Sequence, residues 1–294
     1  MKRPVDAVLD YLRAQQGRGS THVHLDPDAR AGLRALQELA RNGGRPQAPA
    51  PEPAAPVGQE YEAPTAPVRT APAPPPRPAG ITTLTITGSS LEEKLASVRH
   101  AAENWSPARS LGTLRDTMVF ATGDPTSRLM LVGEAPGHDE EKKREPFVGP
   151  AGQKLDLILK AMGFSRQQVY ISNIVKFRPA TARQATNNRP PTPDEIAACL
   201  PLIEAEIDLI KPACIVALGG TAATGLLASA QSVTALRGSW HDFRGIPVRV
   251  TYHPSYLLRS EHDVATKRKV WEDMLAVMER LELPISDKQR RFFQ

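Results

Sequence analysis

The segment Arg128–Gln153 constrains the fold more than any other part of the sequence. It begins with an apolar run, Leu129–Val132, and turns abruptly into GEAPG. An apolar run that ends in a tight glycine turn predicts a buried strand whose last residues lie at the edge of a sheet. Open α/β proteins bind their ligands at the carboxyl edge of the sheet. We therefore expect this segment to contribute both to the core and to a binding site.

Apolar runs alternate with amphipathic stretches along the rest of the chain. The predicted strands are Thr117–Ala121, Leu129–Val132, Val169–Val175, Cys214–Leu218 and Ile246–Thr251. The predicted helices begin near Ser89–Ser90, Gln153, Thr192, Thr221 and Thr266. This alternation predicts a three-layer α/β/α sandwich with a central, mostly parallel sheet of four to five strands. The strand ends GEAPG, Asn173, GGTAA and HPSYLLR are then expected to line one cleft.

The sequence divides into four parts of different composition. Residues 1–44 contain two weakly amphipathic stretches, which predict either a helical docking module for a protein partner or a poorly ordered leader. Residues 45–80 hold 12 of the 28 prolines and few large apolar residues, so they predict a disordered linker. The folded domain is expected at residues 81–283, followed by a basic tail at 284–294.

Charge and cysteine content limit the class of protein. A net charge of +5 and a pI near 9.3 are compatible with a polyanionic partner but do not require one. Cys199 and Cys214 lie in apolar surroundings, as reduced core thiols do. The N-terminal sequence is not that of a secretory signal, and no apolar run is long enough for a transmembrane helix. We expect a monomeric cytoplasmic protein that is not bound to a membrane.

Six motifs follow one another along the predicted domain. They are GEAPG with a following DE, EPFVGPAG, YISNIVK, NNRPPTP, IVALGGTA and HPSYLLR. In this order and at these intervals the set resembles the uracil-DNA glycosylase superfamily, most closely its family 4, over residues 95–280. The resemblance implies a monofunctional glycosylase that flips uracil out of DNA, hydrolyses its N-glycosidic bond and leaves an abasic site. The alternatives are a non-catalytic nucleic-acid-binding module of the same fold and a glycosylase for another deaminated base.

Three side chains suit the recognition of an extruded uracil. Phe147 offers a flat stacking surface, and a core packing role is the alternative. Asn173 interrupts an apolar strand, and its amide can donate to O4 while it accepts from N3–H; capping of a turn is the alternative. His253 follows a strand, and the resemblance implies that it donates to O2 and stabilises the leaving anion.

The glycine turn and the segment after it carry the candidate catalytic carboxylates. The resemblance places Glu134 beside the glycosidic bond, where it orients water or offsets positive charge on the sugar. Glu140 is the second catalytic candidate, with Asp139 behind it, and a solvated acidic loop is the alternative for both. Backbone contacts to the base or the water are expected from Gly133, Ala135 and Gly137.

Two segments are expected to hold DNA. The resemblance makes Tyr256, Leu257 and Leu258 a wedge that fills the gap left by the flipped nucleotide, with phosphates held by Ser255 and Arg259. The second segment, 176–189, contains no acid, which predicts a mobile basic arm; a solvated surface loop is the alternative. Its cations are Lys176, Arg178, Arg183 and Arg189.

The chain departs from the family pattern at a cofactor site. Family 4 members commonly bind a four-iron, four-sulfur cluster through four cysteines. The aligned positions here are Ser106, Arg109, Phe177 and Cys199. Because one thiolate cannot hold such a cluster, we expect no iron–sulfur centre and no other metal or cofactor. Packing around Trp105, Phe177 and Cys199 is expected in its place.

Overall fold

The mostly parallel sheet that the sequence predicts is present in the computed structural model, which describes residues 84–259 and 263–293. The predicted leader at 1–44 and linker at 45–80 lie outside the described residues. The domain boundaries therefore stay predictions. In the two described ranges, none of the helices combines the length and apolar character that crossing a membrane requires.

Helices lie along both faces of the central sheet. They are α1 (Leu91–Glu103), α2 (Ser106–Arg109), α3 (His138–Lys143), α4 (Pro150–Met162), α5 (Pro193–Ile210), α6 (Gly220–Leu227), α7 (Val233–Leu236), α8 (Pro254–Arg259), α9 (Val264–Arg280) and α10 (Asp287–Arg290). A short 3₁₀ helix spans Arg166–Gln168. The predicted basic tail thus includes the helical turn α10, and the Trp271 indole donates to the Gln289 carbonyl there.

The strands form two sheets. They are β1 (Leu114–Met118), β2 (Ala121–Gly123), β3 (Leu129–Gly133), β4 (Tyr170–Asn173), β5 (Phe177–Pro179), β6 (Cys214–Leu218), β7 (Trp240–Phe243) and β8 (Ile246–Thr251). The larger sheet has six strands in the order β2-β4-β3-β6-β8-β7, and β1 pairs with β5. The central four strands are parallel, which confirms the sequence prediction. The sheet has six strands and not the four to five that the sequence predicts, and its two edge strands, β2 and β7, are antiparallel to their neighbours.

Successive residues of β3 point to opposite faces of the sheet and so divide the apolar core in two. Met130 and Val132 pack with residues of α1, α5 and α6. Leu129 and Leu131 pack with residues of α4 and α9. A strand buried on both faces must be apolar at every position, which explains the uninterrupted run in the sequence. The result is the three-layer α/β/α sandwich.

Two strand predictions need correction at their ends. The stretch Thr117–Ala121 is not one strand, because β1 ends at Met118 and β2 begins at Ala121 in the other sheet. The strand predicted at Val169–Val175 is shorter, since β4 spans Tyr170–Asn173. In the first case both strands are short and carry mixed polarity, so periodicity did not separate them.

A buried ion pair ties β4 and the segment after it to α5. Lys176 contacts Glu206, and both side chains have no exposed surface. The hydroxyl groups of Ser172 and Tyr170 donate to Glu206 Oε2 at 2.8 and 3.0 Å. Burial lowers the pKa of Lys176, whereas the adjacent Glu206 raises it. The charges are thus compensated inside the core and do not lie on a surface.

We predict that Lys176→Met destabilises the fold by about 3–5 kcal/mol, because it leaves the Glu206 carboxylate buried without its counter-charge. Urea unfolding measures the change. The double variant Lys176→Met/Glu206→Leu should lose less stability than the sum of the two single changes. Lys142→Met, at an exposed lysine, is the matched control. A Lys176→Met protein within about 0.5 kcal/mol of the parent would contradict the assignment.

Candidate active site

The carboxyl ends of the parallel strands meet at one edge of the sheet. The last residue of β3, Gly133, pairs in register with Asn173, the last residue of β4. Leu218 at the end of β6 pairs with Thr251 at the end of β8. His253 follows two residues after Thr251. The four segments that the sequence predicted to converge therefore do share an edge.

Gly133 brings Phe147 and Asn173 together. A Cβ atom on Gly133 would lie 2.4 Å from Asn173 Oδ1 and 2.5 Å from Phe147 Cζ. Both distances are too short for any side chain, so the absence of a Cβ at this position allows the ring and the amide to approach the strand. The imidazole of His253 faces the Phe147 ring at a centroid distance of 5.6 Å. Phe147, Asn173 and His253 consequently cluster beside Gly133, and this cluster is called the recess below.

The Phe147 ring is positioned by its backbone. Its φ of 55° lies in the left-handed region, which a phenylalanine adopts only when its surroundings impose it. Arg166 donates to the carbonyl of Phe147 at 2.9 Å and to that of Pro146 at 2.7 Å. A Cβ atom on Gly152 would lie 1.8 Å from the Phe147 carbonyl oxygen, so the first turn of α4 also closes against this residue. These contacts hold the ring in place before any ligand arrives.

Asn173 carries a polar atom that has no partner. The residue is 2% exposed, and its Oδ1 accepts no hydrogen bond from any part of the chain that the structure describes. A buried acceptor without a donor costs about 1–3 kcal/mol, and such atoms in folded proteins commonly have a functional reason. The amide oxygen is thus free to accept a hydrogen bond from a ligand in the recess.

His253 has a defined tautomer. The backbone N–H of Ser255 donates to Nδ1 at 3.2 Å, and the Ser255 hydroxyl lies 2.8 Å from the same nitrogen. Because Nδ1 accepts, the proton of the neutral ring is on Nε2. Burial lowers the pKa of His253 to about 4. At neutral pH the site therefore contains an uncharged imidazole that donates through Nε2.

The two candidate carboxylates have different surroundings. Glu134, next to Gly133, accepts a short hydrogen bond from the Thr221 hydroxyl in the first turn of α6. Glu140 accepts from the backbone N–H groups of Gly137, Val148 and Gly149 at 3.1, 3.0 and 2.8 Å. Both oxygens of Glu140 are engaged with the backbone, so this carboxylate joins the GEAPG turn to the turn that carries Phe147. Glu134 remains partly exposed at the edge of the recess.

Of the cations in the predicted basic arm, Arg183 is exposed, whereas the other three are paired with acids. Besides the buried Lys176, Arg178 is 1% exposed and donates to Glu141 at 2.9 Å. Arg189 forms a bidentate pair with Glu195, at 2.6 and 2.8 Å. Burial corrects the expectation that Lys176 and Arg178 contact phosphate. The Arg189 side chain is 28% exposed, so its contact with phosphate stays a prediction. The paired acids Glu141, Glu195 and Glu206 lie outside the arm, so counting charges within it could not reveal them.

Asn188 is a site residue that the sequence analysis did not single out. Arg178 Nε donates to its Oδ1 at 2.9 Å, which leaves the amide NH₂ facing Gly137. Its Nδ2 lies 3.0 Å from the place that a Cβ on Gly137 would take. Asn188 belongs to the NNRPPTP motif, so the motif is the feature of the sequence that could have indicated it. Thr221, which contacts Glu134, is a second such residue, and it lies within GGTAA.

The HPSYLLR segment forms α8 and places its apolar side chains differently. Leu257 is 7% exposed and belongs to the interior, whereas Tyr256 and Leu258 are 45% and 37% exposed. Leu257 is consequently not available as a wedge, and the two neighbouring side chains are. Ser255 is engaged with His253. The side chain of Arg259 is outside the described part of the chain.

Comparison with known proteins places this fold and recess in a family. The family model for the uracil DNA glycosylase superfamily matches residues 120–275. The chain belongs to the uracil-DNA glycosylase superfamily. A type-4 uracil-DNA glycosylase of Thermotoga maritima is 43% identical over 162 residues, 54% of this chain and 81% of the relative. Those of Sulfurisphaera tokodaii and Pyrobaculum aerophilum are 40% and 38% identical, over 50% and 49% of this chain and 69% and 75% of theirs.

The residues at the cluster position of this glycosylase do not fit an iron–sulfur centre. Phe177 and Cys199 are fully buried, and the Arg109 guanidinium lies over the Phe177 ring at 4.5 Å. The sequence contains two cysteines, and the other, Cys214, packs on the opposite face of the sheet. Burial raises the pKa of Cys199 to about 11, so it is a thiol and not a thiolate at neutral pH. A four-iron cluster needs four thiolates.

We predict that anaerobically purified protein contains no stoichiometric iron and shows no broad visible absorption band, since three of the four ligand positions lack a cysteine. Metal analysis and the absorption spectrum provide the test. Cys199→Ser should change neither reading, which makes it the matched control. Iron near four atoms per chain, lost in the Cys199→Ser variant, would overturn the prediction.

We predict a pH-dependent contribution of His253 to stability. The unfolded ring takes up a proton near pH 6.5 and the folded ring only near pH 4. The unfolded state therefore binds more protons between these values, and stability falls as the pH falls through this window, on the order of 3 kcal/mol in total. Above pH 6.5 the ring is neutral in both states and adds no pH dependence.

Urea unfolding of the parent and of His253→Gln at pH 7.5, 5.5 and 4.5 measures this contribution. The variant should lose less stability on acidification than the parent. His100→Gln, at an exposed histidine of α1, is the control and should follow the parent. A difference between parent and His253→Gln that stays constant with pH would show that the ring is not held neutral.

Proposed function

We propose that the domain is a monofunctional uracil-DNA glycosylase that binds an extruded uracil in the recess and hydrolyses its N-glycosidic bond. The buried Oδ1 of Asn173, which has no hydrogen-bond partner among the described residues, is the observation that carries the proposal, and the Nε2–H of a neutral His253 lies at the same edge of the sheet. Family membership and type-4 relatives at 38–43% identity support the same activity. The product is an abasic site, which begins base-excision repair.

The recess complements the edge of uracil. Asn173 Oδ1 accepts from N3–H and its Nδ2 donates to O4, while His253 donates to O2. Phe147 supplies the flat surface on which the base stacks. Cytosine has an acceptor at N3 and a donor at position 4, so with the amide in this orientation it would leave both Asn173 atoms unsatisfied. Unpaired buried polar groups of this kind discriminate strongly between analogues.

Catalysis requires stabilisation of the separated charges. As the bond breaks, the sugar becomes cationic and uracil leaves as an anion, with charge on O2. The Nε2–H of His253 would stabilise that charge by a hydrogen bond from a neutral imidazole. Glu134, oriented by Thr221, would offset the sugar cation and orient the attacking water. We assign Glu140 a positioning role through its backbone contacts.

The remaining partner assignments follow from this proposal. Uracil-containing DNA is the substrate, held near Tyr256, Leu258, Ser255 and Arg259. No lysine is among the recess residues named above, so no Schiff base with the sugar is expected, and the enzyme does not cleave the strand. A monomeric state, a cytoplasmic location and docking through residues 1–44 stay predictions.

A single-turnover assay on a uracil-containing oligonucleotide tests the proposal. The parent should release uracil, and His253→Gln should be slower by roughly 10²-fold or more, as for loss of an oxyanion donor. His100→Gln, at an exposed histidine, is the control and should release uracil at the rate of the parent. Retained binding without abasic product would favour the non-catalytic module, and excision of hypoxanthine or xanthine in preference to uracil would favour the third alternative.

We predict that Asn173→Asp shifts the base preference from uracil towards cytosine. A carboxyl group can accept from the cytosine amino group and, when protonated, donate to N3. Uracil excision should fall at least about tenfold, whereas cytosine excision should rise above the parent. Asn173→Ala removes both interactions and should lose uracil excision with no gain on cytosine. An unchanged base preference in Asn173→Asp would show that Asn173 does not read the base.

A further inference from the structure

Three consecutive cations lie between the GEAPG turn and the turn that carries Phe147. Lys142 and Lys143 end α3, and Arg144 follows as its C-cap. All three residues are exposed. Their side chains form no ion pair and no hydrogen bond with any residue of the ranges that the structure describes. Lys142, Lys143 and Arg144 are called the basic bend below.

The acids on either side of the basic bend are engaged with the protein. Glu140 accepts from three backbone N–H groups. Glu141 pairs with two arginines, at 2.6 and 2.9 Å. Glu145 pairs with Arg166 at 3.2 Å. Because these carboxylates already have partners, the positive charge of the basic bend is left to the solvent side of the segment.

The basic bend is held close to the recess. Helix α3 follows the GEAPG turn at the carboxyl end of β3, and Glu140 ties it to the backbone just after Phe147. Arg144 precedes Phe147 by three residues, so their Cα atoms are at most about 11 Å apart. One strand of DNA carries a phosphate about every 3.4 Å along the helix axis. The phosphates within about three nucleotides of a uracil at Phe147 therefore lie within this distance.

The helix itself does not require the Arg144 side chain. Arg144 has a φ of 56°, a conformation that glycine most often adopts at the end of a helix. Its backbone N–H makes the capping contact by donating to the Glu140 carbonyl. Cations at a helix C-terminus also interact favourably with the helix dipole, but that effect changes the stability of the helix and not the affinity for DNA. The two roles can therefore be separated by experiment.

We propose that the basic bend binds the DNA backbone phosphates of the nucleotides next to the extruded uracil. The proposal rests on the function proposed above, because the uracil in the recess determines which phosphates are near. Lysine and arginine bind phosphate by charge and release counter-ions from the DNA. Contacts to phosphate fix the register of a strand and carry no sequence information. The basic bend thus adds affinity and positions the strand without adding a base preference.

The salt dependence of DNA binding tests the proposal. The probe is a duplex with a single 2′-fluoro-2′-deoxyuridine, which resists hydrolysis, and dissociation constants are measured from roughly 50 to 200 mM salt. The variants are Arg144→Gln, Arg144→Lys and the triple variant Lys142→Gln/Lys143→Gln/Arg144→Gln. The matched control is Lys211→Gln. Lys211 is also an exposed C-cap with a positive φ, of 50°, but it precedes β6 and so lies at the amino end of the parallel strands.

We expect the slope of log Kd against log salt concentration to fall by about 0.9 for Arg144→Gln, the value for one lost phosphate contact. The triple variant should lose up to about 2.7. Arg144→Lys and Lys211→Gln should keep the slope of the parent, and the urea midpoint of the triple variant should not move. An unchanged slope in the triple variant would refute the proposal. An equal decrease in Arg144→Gln and Lys211→Gln would also refute it, because the effect would then come from net charge alone.

Neutral methylphosphonate linkages locate the contact on the DNA. They replace one phosphate at a time within about three nucleotides on each side of the uracil analogue. At a contacted position the replacement should weaken binding by the parent and leave the triple variant unaffected. If no position behaves in this way, the assignment to the adjacent phosphates is wrong. Failure of the proposed function would appear separately, as the absence of uracil release by the parent from ordinary uracil-containing DNA.

Discussion

The recess depends on the absence of a side chain at Gly133, the last residue of β3. Gly133 allows the Phe147 ring and the Asn173 amide to lie within 2.6 Å of where its Cβ would be. Parallel pairing then places the Asn173 backbone beside Gly133, and β8 delivers His253 to the same edge. A larger residue would displace either the Phe147 ring or the Asn173 amide. One steric condition thus links the topology of the sheet to the chemistry of the site.

Charged groups around this edge mostly act inside the protein. Glu140 binds three backbone N–H groups, Arg178 binds the arm that carries Asn188, and Lys176 binds Glu206. These contacts orient turns that contain glycine and proline and therefore have few apolar contacts of their own. The net positive charge of the chain is consequently a poor guide to its DNA-binding surface. The exposed side chains, and not the net charge, indicate where the protein can contact a polyanion.

The sequence predicts the centre of this structure better than its edges. The strands β3, β6 and β8 are short apolar runs bounded by turn residues, and the parallel sheet follows from their alternation with helices. The residue types of Asn173 and His253 are unusual at strand ends, which makes them visible in the sequence, whereas Phe147 lies between two turns and its role is implied by the family resemblance. The antiparallel strands β2 and β7 have no clear periodicity, and ion-pair partners such as Glu206 are distant in sequence. Burial of Leu257 depends on the direction of a two-turn segment, which composition does not encode.

The αL backbone of Phe147 has a consequence for turnover. Its carbonyl accepts from Arg166 and its main chain packs against Gly152, so, under the function proposed above, this wall of the recess is expected to keep its shape when the base binds. The conformational work of the reaction is then done by the nucleic acid, which must unstack and rotate its nucleotide outward. Differences in excision rate among substrates would therefore reflect the free energy of extruding each nucleotide. Uracil at mismatched or unpaired positions would be excised faster than uracil in well-stacked pairs.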